Sequence, residues 1–289
     1  SDWSARLGAS WHFMDSSSLY ATVSRSFVGI GADLSRTGSA EAAFLDPTTA
    51  EAVEFGVKSM LLDDSLQLNA AVFWQDVEDL QTSALLPGTI TTVNLNAGDL
   101  DIFGVEVDAL WAYSDYGRIS AAVTYLDAKT KDLLQPCWPE QTIATGCNID
   151  ENGNLVTDPS AAVQTDMDGA DAPNTPEFAY NIGISHIFPL DNLSFDIHGS
   201  VNYVWQDEVN FPLNGDPLLA QDSYGLLNFS LRMVDKDDRY EVTLFGRNIN
   251  DKEFYSDSSE ASGFIARQYV RVTRGAQSFY GVRLKYNFM

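Results

Sequence analysis

The sequence lacks any long apolar run, although 45% of its 289 residues are hydrophobic. A membrane-spanning helix needs about 20 mostly apolar residues, and here polar residues interrupt every apolar stretch well before that length. The sequence also lacks the basic start and apolar run of a secretory signal peptide. These absences exclude a helical membrane protein and predict either a processed leader or a chain that belongs to something longer.

Basic residues are also scarce, since 17 Lys and Arg stand against 41 Asp and Glu, for a formal net charge of -24. Such a chain repels the phosphates of nucleic acids, so the sequence predicts no nucleic-acid partner. The acidic residues are densest in the polar connecting segments. Most of the negative charge is therefore expected in loops.

Only two cysteines are present, Cys137 and Cys147, close together in the polar segment CWPEQTIATGC. In an oxidising compartment they would form a disulfide that closes a small loop, whereas in the cytosol they would remain thiols or bind metal. A metal site would need further Cys or His nearby, and none is there. We expect the disulfide.

Catalytic motifs are absent from the sequence as well. It contains no Gly-x-Ser-x-Gly, no phosphate-binding loop and no zinc-ligand spacing. The three histidines, His12, His186 and His198, fall in separate predicted strands, where we interpret them as polar residues that face a lumen or an interface. The sequence predicts no catalytic residues and no enzyme.

What the sequence has instead is alternation of apolar and polar residues over about ten positions, the period of a strand with two different faces. From Leu193 to Trp205, the odd positions are apolar, aromatic or glycine, and the even positions are polar except Val204. Eleven segments with this pattern predict an all-β fold. They begin near Trp3, Leu19, Glu51, Leu66, Ile102, Arg118, Glu177, Leu193, Tyr224, Tyr240 and Ser278.

The connections between these segments alternate in length. Short turns are followed by long polar loops near residues 31–50, 84–100, 128–175, 207–223 and 251–277. All ten prolines lie in turns, in loops or at strand margins, as expected because proline cannot donate a hydrogen bond within a sheet. Short turns at one end and long loops at the other are typical of a transmembrane β-barrel.

A soluble β-sandwich also alternates, but its strands are typically five or six residues long. Strands of about ten residues cross a bilayer when tilted, and aromatic residues here lie toward the ends of the apolar faces, as in an interfacial belt. The opposite faces carry many charges, which a dry core would exclude. The sequence therefore predicts a transmembrane antiparallel β-barrel. Eleven is an odd number, so the chain is expected to be part of a larger barrel.

Five segments resemble the C-terminal half of the β-barrel of TonB-dependent receptors. They are LYATVSRSF from Leu19, AEAVEFGVKSMLLDDSLQLNAAVFWQDVEDLQ from Ala50, NAGDLDIFGVEVDALW from Asn96, YEVTLFGRNINDKEF from Tyr240 and SFYGVRLKYNF from Ser278. Each is weakly specific alone, but together they cover nearly the whole chain in the right order.

The resemblance implies a barrel of twenty-two strands, of which residues 1–289 would supply about eleven, roughly strands twelve to twenty-two. It implies a plug domain and an N-terminal barrel half, both absent from this chain. The implied function is active import of a scarce nutrient, most commonly a ferric siderophore, across the outer membrane of a Gram-negative bacterium. The implied partners are the TonB-ExbB-ExbD system acting through the plug, lipopolysaccharide, outer-membrane lipid and the chelate itself. A passive porin-like channel and a non-transporting receptor or scaffold are the alternatives.

The long loops would form the vestibule that captures substrate. Three aromatic residues in them, Trp138, Phe211 and Phe264, would contact substrate or pack the loops together. Arg267, Arg271 and Arg274 form a basic cluster that could attract an anionic chelate, contact lipopolysaccharide phosphates or balance acidic loops.

No cofactor is expected, with one open alternative. The segment DMDGAD contains Asp166, Asp168 and Asp171, whose carboxylates could bind a structural calcium ion. Their spacing does not match an EF-hand loop, and a solvated acidic loop is the other interpretation.

Overall fold

The computed structural model describes residues 2–32, 44–85, 92–96, 98–260 and 268–288. One antiparallel sheet of eleven strands dominates it, and each strand pairs with its neighbour in chain order. The strands are β1 (Ala5–Met14), β2 (Ser17–Val28), β3 (Thr48–Leu61), β4 (Leu66–Glu78), β5 (Asp99–Ser114), β6 (Gly117–Lys131), β7 (Phe178–Phe188), β8 (Phe195–Gln206), β9 (Tyr224–Asp235), β10 (Tyr240–Arg247) and β11 (Phe279–Tyr286). The all-β prediction and its eleven strands are confirmed.

Helical structure in the described ranges is confined to short 3-10 turns at Ile143–Thr145, Pro217–Leu219 and Arg274–Ala276. No helix in this part of the chain has the length and apolar character needed to cross a membrane.

One face of the sheet is apolar from edge to edge. Residues directly opposite each other on neighbouring antiparallel strands point to the same face, so the register traces continuous rows of side chains. One row runs from Leu7 through Val23 and Val53 to Trp74 and Phe103. These side chains are apolar although they cover one surface of five successive strands.

The apolar face is exposed and does not form a sealed core. Val201 lies between Ile184 and Phe229 in another apolar row, and 45% of its surface is accessible. Leu193, in the short turn that precedes β8, is 48% exposed. In a soluble sandwich these side chains would be packed against a second sheet, so this finding excludes the sandwich and agrees with a surface that contacts lipid.

The opposite face is polar. Ser185, Ser200 and Ser230 lie side by side on it, one on each of β7, β8 and β9. The register also places on it every charged residue that the alternation predicts there. These residues are Arg6, Glu54, Lys58, Glu106, Asp108, Asp196, Glu241, Arg247, Arg283 and Lys285.

The strands are longer than the alternation predicts, reaching 16 residues in β5. The additional residues lie at the long-loop end, where charged side chains replace apolar ones on the exposed face. Arg25 pairs there with Glu51, and Lys131 pairs with Asp101. Backbone pairing continues past the apolar band because it does not depend on side-chain polarity. An apolar pattern therefore marks only the part of each strand that faces hydrocarbon.

Candidate functional site

The five long connections all leave the same end of the sheet. We name them L1 (residues 29–47), L2 (79–98), L3 (132–177), L4 (207–223) and L5 (248–278). Each contains strands of its own, paired within the loop. Among the described residues, two paired strands lie in each of L1, L2, L4 and L5, and three lie in L3. The sequence predicts these segments only as polar loops, so their internal pairing is a new finding.

Hydrogen bonds join L1 to L2. The Gln81 side-chain amide donates to the carbonyl oxygens of Gly29 and Asp46, at 3.0 and 2.9 Å. The Asn96 amide donates to the same Asp46 carbonyl at 3.0 Å and to that of Asp79 at 2.7 Å. Backbone carbonyl groups of both loops thus accept hydrogen bonds from two side chains of L2. The two loops consequently form one unit over the first half of the sheet.

L3 is the longest loop and has a small core. Its central strand, Gln164–Asp166, pairs with both Leu134–Pro136 and Cys147–Ile149. Cys137 and Cys147 are bonded to each other, with their Cα atoms 5.6 Å apart. Leu133 is buried at the base of this sheet. The disulfide therefore cross-links two positions within L3, a loop whose own apolar core is small.

Turns in L3 are closed by aspartate side chains. The Asp150 carboxylate accepts backbone N–H bonds from Asn154 and Asn152, at 2.9 and 2.8 Å. These bonds stabilise the charged form and lower the pKa of the Asp150 carboxyl. The N–H and hydroxyl of Ser160 lower the pKa of Asp158 in the same way. Some of the acidic side chains of L3 therefore stabilise turns of the same loop by accepting hydrogen bonds from its backbone.

L3, L4 and L5 form a second unit. The Asn174 N–H of L3 donates to the Asn210 carbonyl of L4 at 2.8 Å. The Ser258 hydroxyl of L5 donates to the carbonyl of Leu219 at 2.9 Å, and the Leu219 side chain in L4 is fully buried. The Tyr255 N–H of L5 also reaches the side chain of Gln221 at 2.6 Å. The last three loops thus support one another directly.

The predicted vestibule residues are distributed over this second unit. Trp138 lies in L3 and is half-buried, and its backbone N–H donates to the Gln141 side chain. Phe211 lies in L4 and is also half-buried. Arg271 lies in L5, where Nη1 is 3.3 Å from the Asp257 carboxylate.

No ring contact, hydrogen bond or ion pair joins Trp138, Phe211 and Arg271 to one another within the described ranges. Arg274 is exposed in the 3-10 turn of L5. Phe264 and Arg267 lie outside the described residues. Direct contact of these side chains with substrate stays a prediction.

The three aspartates of DMDGAD have separate local partners. Asp166 accepts the Asp168 N–H at 2.9 Å, Asp168 accepts the Asp132 N–H at 3.2 Å, and Asp171 pairs with Lys129. No group of three or more His, Cys, Asp or Glu side chains is arranged to hold a metal ion in the part of the chain that the structure describes. Calcium binding stays a prediction.

Comparison with known proteins identifies the family. The family model described as TonB dependent receptor-like, beta-barrel matches residues 1–250. The chain belongs to this family. Members of the TonB-dependent receptor family are outer-membrane β-barrel proteins, so the chain is an outer-membrane protein. The family consists of transport receptors and not of enzymes.

A curated relative is the probable TonB-dependent siderophore receptor PiuA of Acinetobacter baumannii. It is 32% identical over 121 residues, which are 41% of this chain and 16% of the relative. The crystal structure of PiuA is similar with a TM-score of 0.65 and 21% identity, over 96% of this chain and 35% of that one.

The ferric yersiniabactin uptake receptor FyuA of Yersinia pestis is similar in fold. Its TM-score is 0.72 at 15% identity, over 98% of this chain and 37% of that one. The chain thus spans about a third of the length of these solved receptors. Its eleven-stranded sheet matches the barrels of TonB-dependent receptors over nearly its whole length.

Removing the disulfide is expected to loosen L3. In the Cys137→Ser, Cys147→Ser double variant, the loss of a short cross-link should cost about 3 kcal/mol of local stability. Proteolytic nicking within L3 should then accelerate by roughly a hundredfold when opening is fast relative to cleavage. The check is limited proteolysis of the folded protein, with fragment masses assigned to each loop. Nicking in L1 and L2 serves as the internal control, and an unchanged rate in L3 would contradict the role assigned to the disulfide.

Proposed function

We propose that residues 1–289 form the C-terminal part of the barrel of an outer-membrane receptor that imports a ferric siderophore with energy from the TonB-ExbB-ExbD system. The observation that carries this proposal is the architecture of the sheet. Its apolar face is exposed, its opposite face is charged, and all five long loops leave one end. A receptor that captures substrate outside the cell needs this combination of a lipid seal, a polar interior and an outer vestibule.

The edges of the sheet support the larger barrel. In the part of the chain that the structure describes, β1 and β11 each pair with a single neighbour, on one side only. Unpaired backbone groups facing lipid would cost several kcal/mol each, so both edges need further strands. An N-terminal barrel half of a similar number of strands would close the sheet and give the even count found in bacterial barrels. A plug within that barrel would connect the receptor to TonB.

Substrate capture is assigned to the unit formed by L3, L4 and L5. Trp138, Phe211 and Phe264 would contribute apolar contacts, and Arg267 and Arg271 would attract a negatively charged chelate. Arg271 suits this task because three quarters of its side chain is exposed even while it pairs with Asp257. The fixed bonds among the three loops would hold such residues at the vestibule. Lipopolysaccharide would surround the outer rim.

The decisive experiment measures import. Deletion of the intact gene should slow growth under iron starvation and abolish uptake of a radio-iron siderophore that the parent strain takes up. The intact gene should restore uptake, and it should fail to do so in a strain that lacks TonB. Uptake that persists without TonB would favour a passive channel. Unchanged uptake and growth in the deletion strain, across a panel of hydroxamate, catecholate and carboxylate siderophores, would remove siderophore import.

A further inference from the structure

A groove of about 980 Å³ crosses β1 to β6 on the apolar face of the sheet, at its long-loop end. Two neighbouring rows of side chains line it. One is the apolar row that runs from Leu7 to Phe103, and the other lies two residues nearer the long loops on each strand. We call the second row the charged row, and it consists of Arg25, Glu51, Asp76, Asp101 and Lys129. The groove thus follows the boundary between apolar and charged side chains, and we name it the border groove.

The border groove lies on the outside of a closed barrel. A plug would fill the interior, against the polar face of the sheet. Further strands would pair with the edges of β1 and β11, and they would extend the sheet sideways without covering this face. An occupant of the groove therefore comes from the membrane that surrounds the barrel.

Two tryptophans indicate the depth of the border groove in the membrane. Trp3 and Trp74 both line it, and they are 60% and 49% exposed. Tryptophan concentrates at the level of the lipid headgroups. The long loops of outer-membrane barrels are extracellular. The groove is consequently at the level of the headgroups of the outer leaflet.

Basic side chains lie at the two ends of the charged row. At one end, Arg25 pairs with Glu51, and its Cζ is 5.1 Å from the centre of the Trp3 ring. At the other end, Lys129 pairs with Asp171 and lies 41% exposed. Four strand spacings separate the two basic residues, or roughly 19 Å at the level of the backbone. The row therefore presents two separate positive groups to the headgroup layer.

The middle of the charged row is acidic. Asp101 pairs with Lys131, whereas Asp76 forms no hydrogen bond or ion pair within the described ranges. A carboxylate only accepts hydrogen bonds, so Asp76 favours a neighbour that donates, such as a hydroxyl group. The charges thus match a headgroup that is anionic at both ends and carries hydroxyls between them.

A second groove continues the apolar side of the border groove toward the short turns. It has a volume of about 620 Å³ and its lining is almost entirely apolar. The row of Ala9, Ala21, Phe55 and Val72 lines it, directly beside the apolar row of the border groove. Together the two grooves give a polar border with a broad apolar surface below it, the arrangement that a lipid requires.

We propose that the border groove binds one molecule of lipopolysaccharide. Its phosphates bind Arg25 and Lys129 through charge-assisted hydrogen bonds, and hydroxyls of the sugar between them donate to Asp76. Its acyl chains lie side by side on the apolar rows. A groove that crosses six strands suits a lipid with many acyl chains better than a phospholipid with two. This inference uses the outer-membrane location of the chain and does not depend on siderophore import.

The test uses the full-length receptor, purified in detergent micelles and titrated with deep-rough lipopolysaccharide. Native mass spectrometry measures the fraction of receptor that retains one lipid molecule, and saturable binding is expected. Arg25→Gln and, separately, Lys129→Gln should each weaken binding by about tenfold, because a charge-assisted hydrogen bond is lost. Asp76→Ala should weaken it by about threefold, through loss of a neutral donor's hydrogen bond.

Two controls accompany these variants. Arg283→Gln removes an arginine from the polar face of β11, outside the groove, and should bind lipopolysaccharide normally. Phosphatidylglycerol, an anionic lipid with two chains, should bind the unaltered receptor more weakly than lipopolysaccharide does. Weakening confined to the groove variants would support the site.

Several results would overturn the proposal. They are the absence of saturable lipopolysaccharide binding, equal weakening in Arg283→Gln, equal affinity for phosphatidylglycerol, and stronger binding in Asp76→Ala, which would mean that this carboxylate only repels phosphate. Binding of both lipids is measured without siderophore or TonB. A failure here is therefore distinguishable from a failure of the import proposal.

Discussion

Val201→Arg is expected to lower the free energy of unfolding by about 2–4 kcal/mol, the cost of placing an arginine on the lipid face near the middle of a transmembrane barrel. Val201 lies in an apolar row between Ile184 and Phe229, with 45% of its surface exposed on the face assigned to lipid. The measurement is a reversible urea titration of the full-length receptor in lipid vesicles.

The matched control for this substitution is the next residue. Asn202 points to the polar face, opposite Gly183 and Asn228, and donates to the Asn181 side chain. Asn202→Arg loses that hydrogen bond but keeps its side chain in a polar setting, so it should cost about 1 kcal/mol or less. Equal costs for the two variants would show that the faces are wrongly assigned.

Arg239→Ala is expected to lower the free energy of unfolding by about 2–3 kcal/mol. Asp235, only 1% exposed, accepts bonds from Arg239 Nε at 2.8 Å, Nη2 at 3.2 Å and the Arg239 backbone N–H at 3.3 Å. Removing the guanidinium leaves a buried carboxylate with little compensation, which costs about 3–5 kcal/mol in a fully buried pair. The loss expected here is smaller than in a fully buried pair, because the Arg239 side chain is 41% exposed and water screens its charge.

An exposed ion pair provides the comparison. Arg271 and Asp257 are 3.3 Å apart in L5, and both side chains are largely accessible. Arg271→Ala should therefore change stability by less than about 1 kcal/mol in the same titration. If Arg239→Ala and Arg271→Ala lower the free energy of unfolding by the same amount, burial of Asp235 does not make its ion pair stronger than the exposed one.

The sequence predicts the membrane-facing part of the fold well, because every strand must present apolar side chains to the lipid. The odd positions from Phe195 to Trp205 lie on the exposed face of β8, as the alternation predicts. The prediction of strand ends is less accurate. β3 begins at Thr48, three residues before the first position that the alternation marks, and β6 extends to Lys131. At these strand ends the exposed face carries ion pairs, so the alternation of apolar and polar residues that marks a strand is missing.

The loops are predictable in position but not in structure. Pairing of two or three residues, as at Val209–Asn210 with Ala220–Gln221, produces no periodic signal. The links made by Gln81 and Ser258 depend on which loops become neighbours, and only the folded sheet decides that.

The unbroken register of β2, β3 and β4 limits how a protein of this design can change in length. One residue gained or lost within β3 would exchange inside for outside along the rest of that strand and carry charges such as that of Lys58 into hydrocarbon. L1 to L5 face no such constraint, since closing a longer loop adds little entropic cost. Insertions and deletions should therefore accumulate in L1 to L5, where new shapes can arise while the apolar face of the sheet stays unaltered.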